Sequence, residues 1–167
     1  MYKGHKEQYV CLIKCSNVSR ETNIVVYDTF NSNSDRINYS CMKIGSIGEM
    51  LTAKHYQNLG FTLVRMNYSK KFGEVDLIVR KEDVTHFVEV KSVECVSKHV
   101  VFERYRSGVF KPELRVDMEK KLRLQKVIDD WVRIQKYDGV IQFDVAAVYV
   151  VSAEKIGYVK IFENVEV

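Results

Sequence analysis

Over most of the chain, apolar positions fall into strand-length runs divided by polar breaks, with two longer stretches at helical spacing. Gly45 to Asn58 carries Ile47, Met50, Leu51 and Ala53 as one imperfect stripe and closes at Leu59-Gly60, which predicts a helix with a glycine stop signal. Phe61 to Met66 predicts a strand, followed by a turn-rich basic link, Asn67-Tyr68-Ser69-Lys70-Lys71. Glu74 to Arg80 and Val84 to Lys91 predict two more strands, and the short polar Lys81-Glu82-Asp83 joins them as a hairpin. Pro112 stands just ahead of a long helical segment, Glu113 to Lys136, on which Leu114, Met118, Leu122, Val127, Ile128, Trp131 and Ile134 recur at roughly helical spacing. Phe143 to Val151 and the short Tyr158 to Phe162 follow as strands. Helix, three strands, helix and one or two strands make an α/β sandwich with a mixed sheet.

Residues 1–41 differ from the rest. Val10-Cys11-Leu12-Ile13 and Asn23 to Tyr27 could form short strands, and Asn31-Ser32-Asn33-Ser34-Asp35 is a cluster of turn formers. The expectation is an N-terminal extension, poorly ordered or adapted, ahead of one domain over residues 42–167. Met42 precedes the regular pattern, so the extension is expected to be dispensable, or translation to start at Met42.

Two of the predicted strands carry acids in their middles. A carboxylate in a buried strand is costly unless it is paired, hydrogen-bonded or bound to a metal. Period two puts Glu89 and Lys91 on one face of their strand, and Asp76 on a face with Glu74 and Ile78 in the strand before. Asp76 can meet Glu89 if the strands pair in suitable register. Two carboxylates converging beside a lysine suit a hard divalent cation, which takes oxygen ligands and completes its shell with water and a substrate phosphate. The bland alternative is an ion-pair cluster in which Lys91 merely neutralises Glu89. Glu49, on the helix ahead of both strands, adds a third acid and weighs toward the site.

Charge adds a partner class. The net charge is +4 with an isoelectric point near 8.8, and Lys98 to Lys126 holds nine basic residues against four acids. Such a stretch, which includes Arg104, Arg106, Lys120 and Lys121, can supply phosphate contacts without sequence choice, or can simply be a solvated helix face. Phe102 and Tyr105 are its candidates for stacking on bases. His86 reads as packed or surface histidine, Trp131 as core, and Asp144 as able either to brace its strand or to approach a metal. Cys11, Cys15, Cys41 and Cys95 lack zinc-finger spacing and read as solitary reduced thiols. With no signal-peptide pattern and no apolar run long enough for a bilayer, a cytoplasmic protein is expected.

Gly45-x-x-Gly48-Glu49-x-x-x-Ala53, Gly60-Phe61, Asn67, Gly73-Glu74-Val75-Asp76-Leu77-Ile78, Phe87-Val88-Glu89-Val90-Lys91 and Phe143-Asp144-Val145, in that order, closely resemble the YraN-like family. These are small bacterial proteins with a PD-(D/E)XK, restriction-endonuclease-like fold, a mixed central sheet flanked by helices, and they are related to Holliday-junction resolvases. The resemblance spans roughly residues 44–150. It implies Asp76, Glu89 and Glu49 as metal-binding acids, the Val90 carbonyl as a further oxygen ligand, and Lys91 as the signature lysine. Glu74 would shape the turn or support the site. A lysine of the family's second helix falls at Lys120 or Lys121. The implied activity is Mg²⁺-dependent hydrolysis of DNA phosphodiesters, with Mn²⁺ able to substitute, on branched or structured DNA in repair or recombination, and resolvase kinship implies a homodimer. The alternative is a non-catalytic nucleic-acid-binding or scaffold protein that keeps the nuclease fold; sequence leaves DNA and RNA undivided.

Overall fold

The computed structural model describes residues 42–107 and 118–165, and the backbone of residues 25–28. Its elements are β1 (Val25–Asp28), α1 (Ile44–Asn58), β2 (Thr62–Lys70), β3 (Gly73–Lys81), β4 (Val84–Glu94), α2 (Lys98–Ser107), α3 (Met118–Gln135), β5 (Val140–Val151) and β6 (Ile156–Phe162). The strands form one sheet in the order β1-β6-β5-β4-β3-β2. Every neighbouring pair is antiparallel except β4 and β5, which run parallel, so the sheet is mixed as expected. The helix α3, lying between β4 and β5 in the chain, supplies the crossover that parallel neighbours need.

Side-chain alternation assigns the two faces of the sheet. Val88, Ala146, Val148 and Val150 pack with Ile47, Leu51, Ala53 and Tyr56 of α1. Phe87, Phe143 and Val145 pack with Leu124, Val127, Ile128 and Trp131 of α3 on the other face, and Ala147, Tyr149 and Tyr158 pack with Val101 of α2 there. Trp131 is core, as its place in the apolar stripe predicts. The α1 face is set by a close approach: a Cβ on Gly48 would lie 1.8 Å from Ser92 Oγ, so only glycine lets the helix sit this near β4.

Several elements depart from the expected pattern. The stretch Asn67 to Lys70 continues β2, which takes in a bulge between Leu63 and Arg65 and turns only after Lys70. Residues 98–107 form the unforeseen helix α2, on which only Val101 is buried. Val25–Asp28 pairs with β6, so part of the expected extension is a strand of the sheet. The expected start of the long helix at Pro112 and Glu113, the early segment Val10 to Ile13, and Cys11, Cys15 and Cys41 lie outside the described residues; Cys95 is a buried free thiol. Among the described residues no helix is long and apolar enough to cross a membrane.

Asp144 braces the α1 face. It is fully buried, and Oδ2 accepts from Tyr56 Oη at 2.7 Å and contacts His86 Nδ1 at 2.7 Å, while Oδ1 accepts from Gln142 Nε2 at 2.8 Å and from the Asn164 N–H at 3.0 Å. Burial alone would push its pKa up, but the hydrogen bonds from His86, Gln142, Tyr56 and Asn164 outweigh that and hold the carboxyl below its ordinary value. Of the two readings open at Asp144, bracing is the one realised, and His86 belongs to the brace. Asp144→Ala would strip four contacts from groups that lie mostly away from water. The expected loss is about 3 kcal/mol or more of unfolding free energy, seen as a lower urea midpoint at unchanged slope.

Candidate metal centre

The site begins where two strands part. Strands β3 and β4 are paired from Lys81↔Val84 out to Leu77↔Val88. The next residues outward are Asp76 and Glu89, and from there β3 keeps only β2 while β4 keeps only β5. Beyond the last rung the backbone N–H groups of β4 on this side have lost their ladder partners. Asp76 fills the gap: its Oδ2 accepts from the Val90 N–H at 2.6 Å across the fork. The suitable register required of Asp76 and Glu89 is the one observed. As the strands splay, strict alternation in β3 gives way, for Val75 and Ile78 both join the core under α3.

Glu89 is 2% exposed. Its Oε1 accepts from Lys91 Nζ at 2.7 Å and also from Lys120 Nζ of α3. Its Oε2 is buried and has no hydrogen-bond partner among the described residues. A buried carboxylate oxygen left in that state costs free energy and marks a position for a further cation or donor. Glu49 reaches the fork from α1, and its Oε2 accepts from Asn67 Nδ2 at 3.1 Å. Asn67 is held at φ 50°, a left-handed conformation that asparagine tolerates better than most residues. The Gly48–Ser92 approach fixes the height of α1 over the sheet, and with it the reach of Glu49.

Electrostatics ties these groups into one centre. Burial, and next the neighbouring charge of Glu89, push the Asp76 carboxyl up to about 7 despite the Val90 N–H; Glu49 raises it further and Lys120 opposes. Lys120 loses by burial, yet its contacts with Glu89 and its proximity to Asp76 raise its pKa overall. Three acids and two lysines thus feel one another at the fork. Glu49, Asp76 and Glu89 suit a hard divalent cation in kind, and Oε2 of Glu89 offers it an oxygen that nothing else among the described residues engages. Among the described residues no three acid, histidine or cysteine side chains stand, as they lie, where they could hold a metal ion together. In this state Glu49 is engaged by Asn67, Asp76 by Val90 and Glu89 by the lysines. Ion binding therefore has to exchange at least one of these contacts.

The remaining candidates are spread more widely. Glu74 is exposed opposite Ser69, beyond Asp76 toward the β2–β3 turn. Arg104 lies near Cys95 and Arg106 is exposed, both on α2, and neither pairs with the acids among the described residues. Lys121 follows Lys120 on α3, and it is Lys120 that meets Glu89. Phe102 packs edge-on against Tyr158, and the Tyr105 hydroxyl accepts from Lys160 at 2.9 Å, so both expected stacking residues are engaged in seating α2 on β6. Asn67 is the centre's unforeseen member, and of the two lysines left open on α3 it is Lys120 that joins it. Asn67 carried one signal, its place in the motif series.

A carboxyl whose pKa is raised by folding binds its proton more tightly in the folded than in the unfolded state. Stability of the metal-free protein is therefore lost through Asp76 as pH rises from about 4 to about 7. Asp76→Asn removes that loss. In chelator, the variant should show a higher urea midpoint than the parent at about pH 8, and the gap should shrink toward about pH 5; equal gaps at both would sink the assignment of the strain to this carboxyl.

A family profile described as "Uncharacterised protein family UPF0102" matches residues 48–148, a span holding the fork, its acids and both lysines. A UPF0102 protein of Syntrophus aciditrophicus is 31% identical over 108 residues, 64% of this chain and 76% of the relative. One from Alkaliphilus metalliredigens is 29% identical over 119 residues, covering 70% and 93%, and one from Corynebacterium efficiens 35% identical over 109 residues, covering 65% and 79%. The chain belongs to UPF0102, the YraN-like family of PD-(D/E)XK nuclease-like proteins.

Proposed function

We propose that this protein is a metal-dependent nuclease that hydrolyses phosphodiesters of DNA, with branched or structured DNA as the first substrates to test. The observation that carries the reading is that Glu49, Asp76, Glu89, Lys91 and Lys120 interact at the β3–β4 fork, where a buried carboxylate oxygen of Glu89 has no partner among the described residues. An ion-pair cluster needs no such oxygen. Drift toward a purely structural role would be expected to lose a member of the set.

Glu49, Asp76 and Glu89, with the Val90 carbonyl, would hold Mg²⁺, or Mn²⁺ in its place. Once bound, such an ion screens the phosphate, orients it and lowers the pKa of a coordinated water. Lys91 projects from the strand beside Glu89, which supports a role for its ammonium in offsetting the negative charge that would build on a phosphorane-like transition state. The Asp76 bridge to Val90 keeps the two arms of the fork at fixed separation, which sets the spacing of the oxygens. Arg104 and Arg106 on α2 and Lys121 on α3 lie on elements covering the same face of the sheet as Lys91, and supply phosphate contacts along a bound strand. A homodimer would present two such centres for paired incision.

The second reading, a non-catalytic nucleic-acid-binding or scaffold protein, draws on the same basic elements without the fork. Labelled duplex, single-stranded, flap and four-way-junction DNAs, incubated with Mg²⁺ or Mn²⁺, separate the two. Wild type should cut at least one of them, Asp76→Ala and Lys91→Met should lower the rate by about a hundredfold or more, and Lys91→Met should still bind. Salt-sensitive binding without cleavage by any of the three proteins would overturn the nuclease in favour of the scaffold.

A further inference from the structure

The lysine contacts at Glu89 are lopsided. Two ammonium groups share Oε1, and Oε2, equally buried, has none among the described residues. A carboxylate whose only task was to satisfy two lysines would take one on each oxygen. The two lysines also differ in freedom. Lys91 stands two residues from Glu89 on a strand pinned by the rung Lys91↔Ala147, so its root cannot leave the site. Lys120 comes from another element, α3, and reaches Glu89 by a flexible four-carbon stem.

Charge balance points the same way. With all three carboxyls ionised, as a bound divalent cation requires, Glu49, Asp76 and Glu89 against Lys91 and Lys120 leave one negative charge at the fork. A divalent cation would turn that into one positive charge, and withdrawal of one ammonium group would restore neutrality. We propose that Lys120 is a displaceable countercation: it neutralises Glu89 in the metal-free centre, yields that carboxylate to an entering divalent cation, and then pairs with the substrate phosphate. This rests on the metal-dependent reading above and adds to it a specific exchange of partners. It also explains how a buried Glu89 is tolerated before any ion arrives, since a charge at that depth is costly without partners of opposite sign.

The test uses the full chain and Mn²⁺ alone, with no nucleic acid. Lys120→Met should bind Mn²⁺ about tenfold more tightly than wild type by calorimetry, while Lys121→Met, which removes the same charge from the neighbouring position, should change the affinity far less. In wild-type protein, acetylation of Lys120 read by peptide mass spectrometry should speed up several-fold on adding Mn²⁺, with Lys121 unaffected. The acetylation arm stands if the Lys120 variant does not fold. Mn²⁺ binding with unchanged Lys120 acetylation, or with equal or weaker affinity in a folded Lys120→Met, overturns the exchange and leaves the metal centre intact. Absence of Mn²⁺ binding to wild type removes the centre and the exchange together.

Discussion

Placing the Glu89 carboxylate in the interior constrains everything around it. Strand β4 is covered on one face by α1 and on the other by α3, so Glu89 has almost no access to water. A charge there survives only with partners of opposite sign at contact distance. Lys91 is supplied by the strand itself, and Lys120 is supplied by the helix that closes the core. The apolar packing of Leu124, Val127 and Trp131 therefore does more than stabilise the sandwich, since it sets where along the sheet Lys120 arrives.

The fork is the second constraint, and it follows from topology. Strand β4 has an antiparallel neighbour on one side and a parallel one on the other, and the two pairings run past each other. Where the antiparallel pairing stops, backbone donors need new acceptors. Asp76 meets that need with a side chain, and so a carboxylate is drawn to within reach of Glu89 at a place where like charges would otherwise be kept apart. Burial first, and the neighbouring Glu89 charge second, raise the pKa of Asp76 there.

Much of this was legible in the sequence. Alternation alone put Glu89 and Lys91 on one face, and the hairpin through Lys81-Glu82-Asp83 set the register that faces Asp76 toward Glu89. Lys120 and Lys121 could not be told apart, because the rotation of α3 depends on how its stripe seats on the sheet rather than on the stripe itself. Asn67 read as a link residue because a left-handed asparagine inside a strand has no periodic signature. The helix α2 escaped for a similar reason: only Val101 is buried, and Val100, Phe102 and Tyr105 beside it make an apolar face too short, among the charges of Lys98 to Ser107, to stand out. Asp144 stayed ambiguous, since an acid within a Phe-Asp-Val run reads alike whether its partners are a tyrosine and a histidine or a metal.

The pairing of Val25–Asp28 with β6 lies at the opposite end of the sheet from β2. Strand β6 is antiparallel to β5 along its whole length, and without β1 its outer row of amides and carbonyls would be bare. Such a row is a template for any passing extended chain, including another molecule's β6. The four residues of β1 thus act as a short guard rail: they cover Ile156 to Val159 of that edge with the protein's own backbone, at the far side of the sheet from the fork.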